Sequence, residues 1–274
     1  MERDVWNALR RRLDQRPDRR PAKCQFTDRR VVEVFLWAAL HDRPVAWACR
    51  PASWPGPRRT LPSPATMSRR LRSLGVLVRL RRLLGRRVVR RLVVIDGKPL
   101  RVSRFSKDRQ ATAGYGAGQI DRGYKLHAAC DGRGRLAAFA VRPMHEPECR
   151  TARKLVGRAA GPGSLTLGDA SYDANELYRI ASSRGGRLVA PRRKPGRGLG
   201  HRRHESDRLR SIALLEGEER KRRQASRLRT SVERYFGWLT GTLGGGLPPW
   251  ARTLRRVSRW VMAKIVIEDA KRWP

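Results

Sequence analysis

The sequence predicts an α/β fold: a mixed sheet flanked by helices and preceded by an all-helical amino-terminal region. Two patterns indicate this. Before residue 90, apolar residues recur at helical spacing, whereas after it short β-branched runs alternate with helical stretches. Such alternation is typical of a sheet with helices on its faces. The chain has 274 residues, enough for one large domain or two modest ones.

The helical region is predicted from caps and apolar faces. Thr27 and Asp28 can cap a helix whose body, 31–40, is apolar almost all round and therefore buried. A further helix over 63–74 ends at Gly75, a residue type that commonly caps helix carboxyl ends. Its exposed face carries Arg69, Arg70 and Arg72. The helix suits either a helix-turn-helix-like DNA reader or an arginine-rich helix packed on a neighbour.

Short apolar runs mark the strands of the α/β part. Residues 92–95 form a β-branched run that ends at Asp96 and Gly97, which is typical of a buried central strand. Residues 124–130 and 136–141 are predicted to form an antiparallel pair. The remaining elements are helices over 146–160, 174–183, 228–239 and 254–265 and strands over 164–167 and 188–190.

Two segments lack this regularity. The glycines between 114 and 123 are too irregularly spaced for a phosphate-binding loop, which predicts a flexible connection. Residues 192–227 are basic and poor in apolar residues, which predicts a loop that is solvated or faces DNA and contains at most one helix. Within it, Arg192, Arg193 and Lys194 are either a clamp on the DNA backbone or solvated surface.

The charge balance indicates a polyanionic partner. Lys and Arg number 63 against 24 Asp and Glu, a formal net charge of +39. Such a chain attracts nucleic acid. No run approaches the ~18 uncharged apolar residues of a transmembrane helix, and the first residues hold no apolar signal core. The 4 cysteines include no CxxC pair and indicate reduced thiols rather than a zinc site.

Three carboxylates fall at informative places. From Asp96 onward the element order is strand, strand, strand, helix, strand, helix, strand, loop, helix, which is that of a ribonuclease H-like domain. Asp96 ends the first strand, Asp169 ends the fourth, and Glu233 borders the apolar face of the helix over 228–239. Open α/β sheets place their sites at strand ends. Three carboxylates supply the oxygen ligands that two Mg²⁺ ions require, and Mn²⁺ fits the same ligands.

Each carboxylate also has a structural alternative. Asp96 could be a turn residue, and Asp169 could cap a helix, although Asp173 is the better cap. Glu233 could pair with Arg229 one helical turn earlier, which does not exclude metal binding.

Three blocks of sequence surround these carboxylates. They read Leu92-Val-Val-Ile-Asp96-Gly97, Gly168-Asp169-Ala-Ser-Tyr172-Asp173 and Arg229-x-x-x-Glu233-Arg234-x-Phe236-x-Trp238-Leu239. In this order and on these elements, they resemble the blocks of bacterial insertion-sequence DDE transposases. The segment from Gly123 to His127 is similar to that family's second strand. The likeness extends over residues 25–270.

The resemblance implies a recombinase that pairs the inverted-repeat ends of its element, cleaves them and joins the 3′ ends to target DNA. Asp96, Asp169 and Glu233 would hold two Mg²⁺ or Mn²⁺ ions. The implied partners are double-stranded DNA and further copies of the chain on that DNA, with no membrane. Expected DNA contacts are Arg69, Arg70, Arg72, Lys125, Tyr172, Arg192, Arg193, Lys194, Arg229 and Arg234. For Tyr172, packing in the core is an equal alternative to stacking on a base.

Two positions depart from the family's third block: Ser226 stands where it has tyrosine and Thr240 where it has lysine. Because that lysine is expected to contact phosphate near the cleaved end, the alternative function is a decayed copy that binds DNA ends without cutting them. The expected domains are 1–89 for DNA binding and dimerisation, 90–242 for catalysis with the basic loop 192–227, and 243–274 as a helix packing on the catalytic domain. A bacterial, cytoplasmic and DNA-associated location is expected.

Overall fold

The computed structural model describes residues 2–15, 17–18, 20–55, 60–84, 91–103, 105–116, 118–201, 203–242 and 246–272. It divides into two compact units. The first comprises residues 1–86 and 239–274, and the second comprises 87–238. The expected domain boundary at 89–90 lies outside the described residues.

The described elements follow one another along the chain in a simple order. Their bounds are α1 (Glu2–Asp14), α2 (Asp28–Leu40), α3 (Val45–Ala48), α4 (Pro64–Arg70), α5 (Leu74–Arg82), β1 (Leu92–Arg101), β2 (Thr112–Gly116), β3 (Gln119–Asp131), β4 (Leu136–Pro143), α6 (Glu148–Ala159), β5 (Leu165–Leu167), α7 (Asn175–Ser182), β6 (Arg187–Val189), α8 (Ser206–Gly217), α9 (Glu219–Thr242) and α10 (Leu254–Arg272). None of the described helices is both long and apolar enough to cross a membrane.

Helix α2 is the centre of the first unit. The Thr27 side chain caps it as predicted, accepting a hydrogen bond from the backbone N–H of Arg30 at 3.2 Å. On α2, the Trp37 ring lies 4.8 Å from that of Trp6 and 4.9 Å from that of Trp54, measured between centroids. Aromatic pairs at this separation stabilise a core beyond the area they bury.

Gly75 does not have its predicted role as a helix cap. Helix α4 ends at Arg70 and α5 begins at Leu74, so Gly75 lies in the first turn of a new helix. A Cβ atom at this position would lie 2.5 Å from Asp28 Oδ2. The glycine is therefore explained by the close approach of α5 to Asp28 and not by chain reversal.

The carboxy-terminal helix was expected on the catalytic domain, but α10 packs against α1, α2 and α5. Lys264 on α10 is 1% exposed and pairs with Asp42 at 2.6 Å. Arg259 donates a hydrogen bond to the carbonyl of Leu71 at 2.7 Å. Buried cations require such partners, and these partners lie just after α2 and α4.

The second unit contains a mixed six-stranded sheet in the order β2-β3-β1-β5-β6, with β4 also pairing with β3. Strand β1 is antiparallel to β3 and parallel to β5. Val93 and Ile95 of β1 pack with residues of α6 and α7 in one core. The predicted fold class, a ribonuclease H-like mixed sheet flanked by helices, is confirmed.

The glycine-rich segment is not the flexible connection that its composition predicted. It forms β2 and the start of β3, which pair antiparallel from Thr112↔Gly123 to Gly116↔Gln119. A Cβ at Gly114 would lie 2.5 Å from the carbonyl oxygen of Met144, and one at Gly123 would collide with the carbonyl of Leu100. These glycines therefore permit close backbone packing within a sheet.

The basic segment 192–227 is more regular than expected. It is helical from Ser206 onward, since it contains α8 and the first part of α9. Helix α8 buries Ile212 and Leu215. Its Arg208 forms a two-point ion pair with Asp173, with both N···O distances 2.7 Å.

Candidate active site

Asp96 and Asp169 lie side by side because of the strand register. Val94 of β1 pairs with Leu167 of the parallel strand β5, and each aspartate lies two residues beyond that pair. Strand β1 continues past Asp96 to Arg101, longer than predicted, because β3 pairs with it throughout. The two carboxylates therefore meet at the carboxyl end of β5, where sheets of this kind place their sites.

The electrostatics of Asp96 reflect the charged groups around it. Burial raises the pKa of Asp96 to about 6, opposed by the hydrogen bond from the backbone N–H of Gly97 at 2.7 Å. The negative charges of Asp169 and Glu148 raise this pKa further, and the Arg229 guanidinium lowers it. Like charges held close together favour the neutral acid, so Asp96 should hold its proton to higher pH than an isolated carboxyl.

Asp169 caps a short turn, and not the helix beginning near residue 174 that was its structural alternative. Its Oδ1 accepts a hydrogen bond from the N–H of Ser171 at 2.8 Å and caps the short 3-10 turn 170–172. Asp173, expected to cap the next helix, does not: α7 begins after Ala174 with no side-chain cap. Its carboxylate is committed to Arg208 instead. Neither acid caps α7, because the chain forms an extra turn between β5 and α7.

Glu148 is a site residue that sequence reasoning missed. It begins α6, and a Cβ at Gly97 would lie 3.2 Å from its Oε1. Lys125 Nζ donates to the same oxygen at 2.7 Å. The available signal was an acid near the start of the helix predicted over 146–160, but the resemblance included no such position. Lys125 is 7% exposed, so its charge is turned towards Glu148 and away from the surface, where DNA contact was expected.

Tyr172 belongs to the core, the second of its two expected roles. Tyr172 is 0% exposed. A Cβ at Gly168 would lie 2.9 Å from the Cβ of Tyr172, so the absence of a side chain at Gly168 leaves space for the tyrosine. Burial, followed by the charges of Glu148, Asp96 and Asp169, raises its pKa well above the usual value. Its hydroxyl has no hydrogen-bond partner within the described part of the chain. A buried, unpaired hydroxyl is costly and marks a polar spot beside the carboxylates.

Helix α9 brings Arg229 to this edge of the sheet. The guanidinium acts on Asp96, and Glu233 lies one helical turn further along α9 with an exposed side chain. Among the described residues, no group of three or more His, Cys, Asp or Glu side chains is arranged to hold a metal ion. The structure thus brings two of the three predicted acids together, with Glu148 beside them.

The other predicted DNA contacts divide into two groups. Arg70 and Arg192 are engaged within the protein, Arg70 with Asp28 at 2.7 Å and Arg192 with Glu216 at 2.8 Å. The remaining side chains are exposed, namely Arg69, Arg72, Arg193, Lys194 and Arg234. Only exposed cations can meet a phosphate without a prior rearrangement.

The raised pKa of Asp96 gives a direct test of the site in the absence of any ligand. Carbon-13 NMR of labelled aspartate carboxyls is expected to show Asp96 titrating near pH 6. Asp169→Asn should lower this pKa, because it removes a neighbouring negative charge, and Arg229→Met should raise it, because it removes a positive one. Asp207→Asn on α8 serves as the control and should leave it unchanged. Titration of Asp96 near pH 4 in the unsubstituted protein would contradict the geometry.

One comparison with known proteins identifies a family. The model of the transposase DDE domain matches residues 88–267. A search of curated proteins and one of solved structures found no match. Members of this family act in DNA transposition and recombination, bind DNA and generally use divalent metal ions. Since the match spans well over half of the chain, the protein belongs to the transposase DDE domain family.

Proposed function

We propose that this protein cleaves DNA at the ends of an insertion sequence and joins the resulting 3′ ends to target DNA. The observation that supports this most directly is the pairing of Asp96 with Asp169, fixed by the Val94↔Leu167 register. The net charge of +39 supports DNA as the substrate. Joining two ends requires both at once, so the active form would be an oligomer assembled on DNA.

The residues present fit a divalent cation in their chemistry. Asp96 and Asp169 offer carboxylate oxygens, the ligands that Mg²⁺ and Mn²⁺ prefer. The unpaired hydroxyl of Tyr172 beside them supports the same conclusion, since a polar group in this position suits a hydrated ion. When bound, such ions polarise the phosphodiester and activate a water or a 3′-hydroxyl. We assign Asp96 and Asp169 as ligands, with Glu233 as the third.

The chain's own residues perform the remaining tasks. Arg229 offsets negative charge at Asp96. Glu233 lies one turn further along the same helix face as Arg229, and it would complete the ligand set by moving its side chain towards the pair. Exposed Arg193, Lys194 and Arg234 would hold the DNA backbone and fix its register.

A cleavage assay tests the proposal. The substrates are fragments of the DNA on either side of the coding sequence, where the ends of an element would lie. We expect specific nicks with Mg²⁺ or Mn²⁺ and none with a chelator. Glu233→Gln should lower the rate by about 10²-fold or more, because a lost ligand removes several kcal/mol of stabilisation.

Glu148→Gln is the matched comparison for the third ligand. It should have the smaller effect, because Lys125 already neutralises Glu148. A larger loss of rate in Glu148→Gln than in Glu233→Gln would transfer the ligand role from Glu233 to Glu148. Nicks made by the unsubstituted protein would also show that Ser226 and Thr240 are tolerated. End-specific binding without any cleavage would overturn the proposal and establish a decayed DNA-binding copy.

A further inference from the structure

An exposed apolar pair stands on the β-ribbon formed by β2 and residues 119–123 of β3. Tyr115 and Ile120 lie directly opposite each other in this ribbon. Their exposed fractions are 67% and 76%, among the highest of the large apolar side chains. Directly opposed residues share one face of a ribbon, so the two side chains form a single apolar projection.

The ribbon bends towards the candidate active site. In a straight strand, at about 3.3 Å per residue, Ile120 and Lys125 would lie about 16 Å apart. Lys125 Nζ nevertheless lies 3.3 Å from the carbonyl oxygen of Tyr115, the residue opposite Ile120. The chain must therefore curl between them, and Gly123 permits this because a side chain there would collide with Leu100.

A short series of contacts joins the ribbon to Asp96. Lys125 Nζ binds both the Tyr115 carbonyl and Glu148 Oε1, the latter at 2.7 Å. Glu148 Oε1 lies in turn 3.2 Å from the Cβ position of Gly97, the residue after Asp96. The apolar pair is thus fixed close to the carboxylate edge of the sheet.

The surroundings of the ribbon favour DNA over an apolar partner. The loop after β1 is bound to the ribbon by the Arg122 guanidinium, which donates to three of its carbonyls at 2.6–3.0 Å. This loop presents Lys107 and Arg109 to solvent, whereas Asp108 is buried and bonded to Tyr124. An apolar projection beside exposed cations matches a nucleic acid, which offers stacked bases between phosphates.

We propose that the Tyr115–Ile120 pair is a DNA wedge. It packs against the bases next to the phosphodiester that reaches the Asp96–Asp169 site and unstacks them, so that the backbone can enter between the ribbon and the sheet edge. Stacking on an aromatic ring tolerates any base, so the wedge shapes the DNA without reading its sequence. This inference rests on the proposed function, because it assumes that DNA is cut at this site.

The test uses 2-aminopurine placed in the cleaved fragment at the base beside the cut. With Ca²⁺ replacing Mg²⁺, binding of the unsubstituted protein should increase the fluorescence of the 2-aminopurine. Binding of the Tyr115→Thr/Ile120→Thr double variant should not. Threonine keeps the β-branched preference for strands, so the ribbon should persist. With Mg²⁺, the double variant should cleave about tenfold to a hundredfold more slowly. Tyr115→Phe keeps the ring and should behave as the unsubstituted protein does.

Two controls separate a wedge from a structural pair. Leu209 on α8 is 42% exposed. Leu209→Thr removes this apolar side chain and should change neither the fluorescence nor the cleavage rate. A substrate with a mismatch at the labelled position is already unstacked, and on it the double variant should cleave within about threefold of the unsubstituted protein. Equal melting temperatures by circular dichroism would show that the double variant is folded.

The outcomes distinguish the wedge from the proposed function. Cleavage by the unsubstituted protein with no fluorescence change, or equal cleavage by the double variant, would overturn the wedge and leave the proposed function standing. A fluorescence increase that depends on Tyr115 and Ile120 without any cleavage would overturn the proposed function and retain the wedge. A change only in oligomeric state, measured by light scattering, would assign the pair to a contact between copies and overturn the wedge.

Discussion

Alanine at Asp169 is expected to lower the rate of metal-dependent DNA cleavage by about 10³-fold, with DNA affinity retained or increased. Loss of a carboxylate from the pair removes about 4 kcal/mol of the stabilisation that metal ions give a phosphoryl transition state, and each 1.4 kcal/mol is tenfold in rate. Affinity should persist because many cations contribute to DNA binding, and removal of an acid lessens repulsion of phosphate. Gel-shift titration and single-turnover cleavage measure the two quantities.

Asp169 also caps the 170–172 turn, so the effect on cleavage must be separated from an effect on folding. Asp169→Asn is the second variant, because its amide oxygen can still accept the hydrogen bond from Ser171 while its charge is lost. It should lose cleavage as fully as Asp169→Ala and melt close to the unsubstituted protein. Asp207→Ala, an acid paired with Arg210 on α8, should cleave normally. Normal cleavage by Asp169→Asn would remove Asp169 from the catalytic pair.

Alanine at Asp173 is expected to destabilise the second unit by about 3–5 kcal/mol, the usual effect of removing one partner from a buried ion pair. The carboxylate side chain is 0% exposed and pairs with Arg208, and it also accepts a hydrogen bond from the N–H of Arg193 at 3.1 Å. Its removal leaves the Arg208 guanidinium without its main partner and weakens the attachment of α8 to the sheet. Urea denaturation followed by circular dichroism measures the loss.

The ion pair between Asp173 and Arg208 should also make the stability of the protein depend on pH. Burial disfavours the charged form of Asp173, but the hydrogen bonds from Arg208 and Arg193 outweigh it and lower the pKa below the usual value. Because the pKa of Asp173 is lowered in the folded state, its ion pair stabilises the fold fully above the unfolded pKa, near 4. This stabilisation is lost as pH falls through the folded pKa. Asp173→Ala should therefore lose stability at neutral pH and resemble the unsubstituted protein in strong acid. Asp207→Ala should change stability by less than about 1 kcal/mol, because its pair is exposed.

Local patterns in the sequence determined the elements that bury a regular apolar face. The β-branched run before Asp96 predicted a central strand, and Thr27 predicted a helix start, because both depend on neighbouring residues alone. The order of these elements indicated the ribonuclease H-like sheet. The same patterns placed Asp169 directly after a strand, whereas Asp96 lies within β1, and their side-by-side position follows from the parallel register of β1 and β5.

Tertiary contacts decided what composition could not. Gly75, Gly114 and Gly123 suggested a cap or a flexible segment, but each is explained by a backbone or side chain that approaches from a distant part of the chain. Charge alone could not show that Lys125 is committed to Glu148 while Arg193 is exposed, because an ion pair forms between residues that only the fold brings together. The sequence by itself determined five of the six described strands, the two aspartates and the basic character of this protein. The tertiary structure decided which charges remain at the surface, since burial and partners are set by packing between elements far apart in sequence.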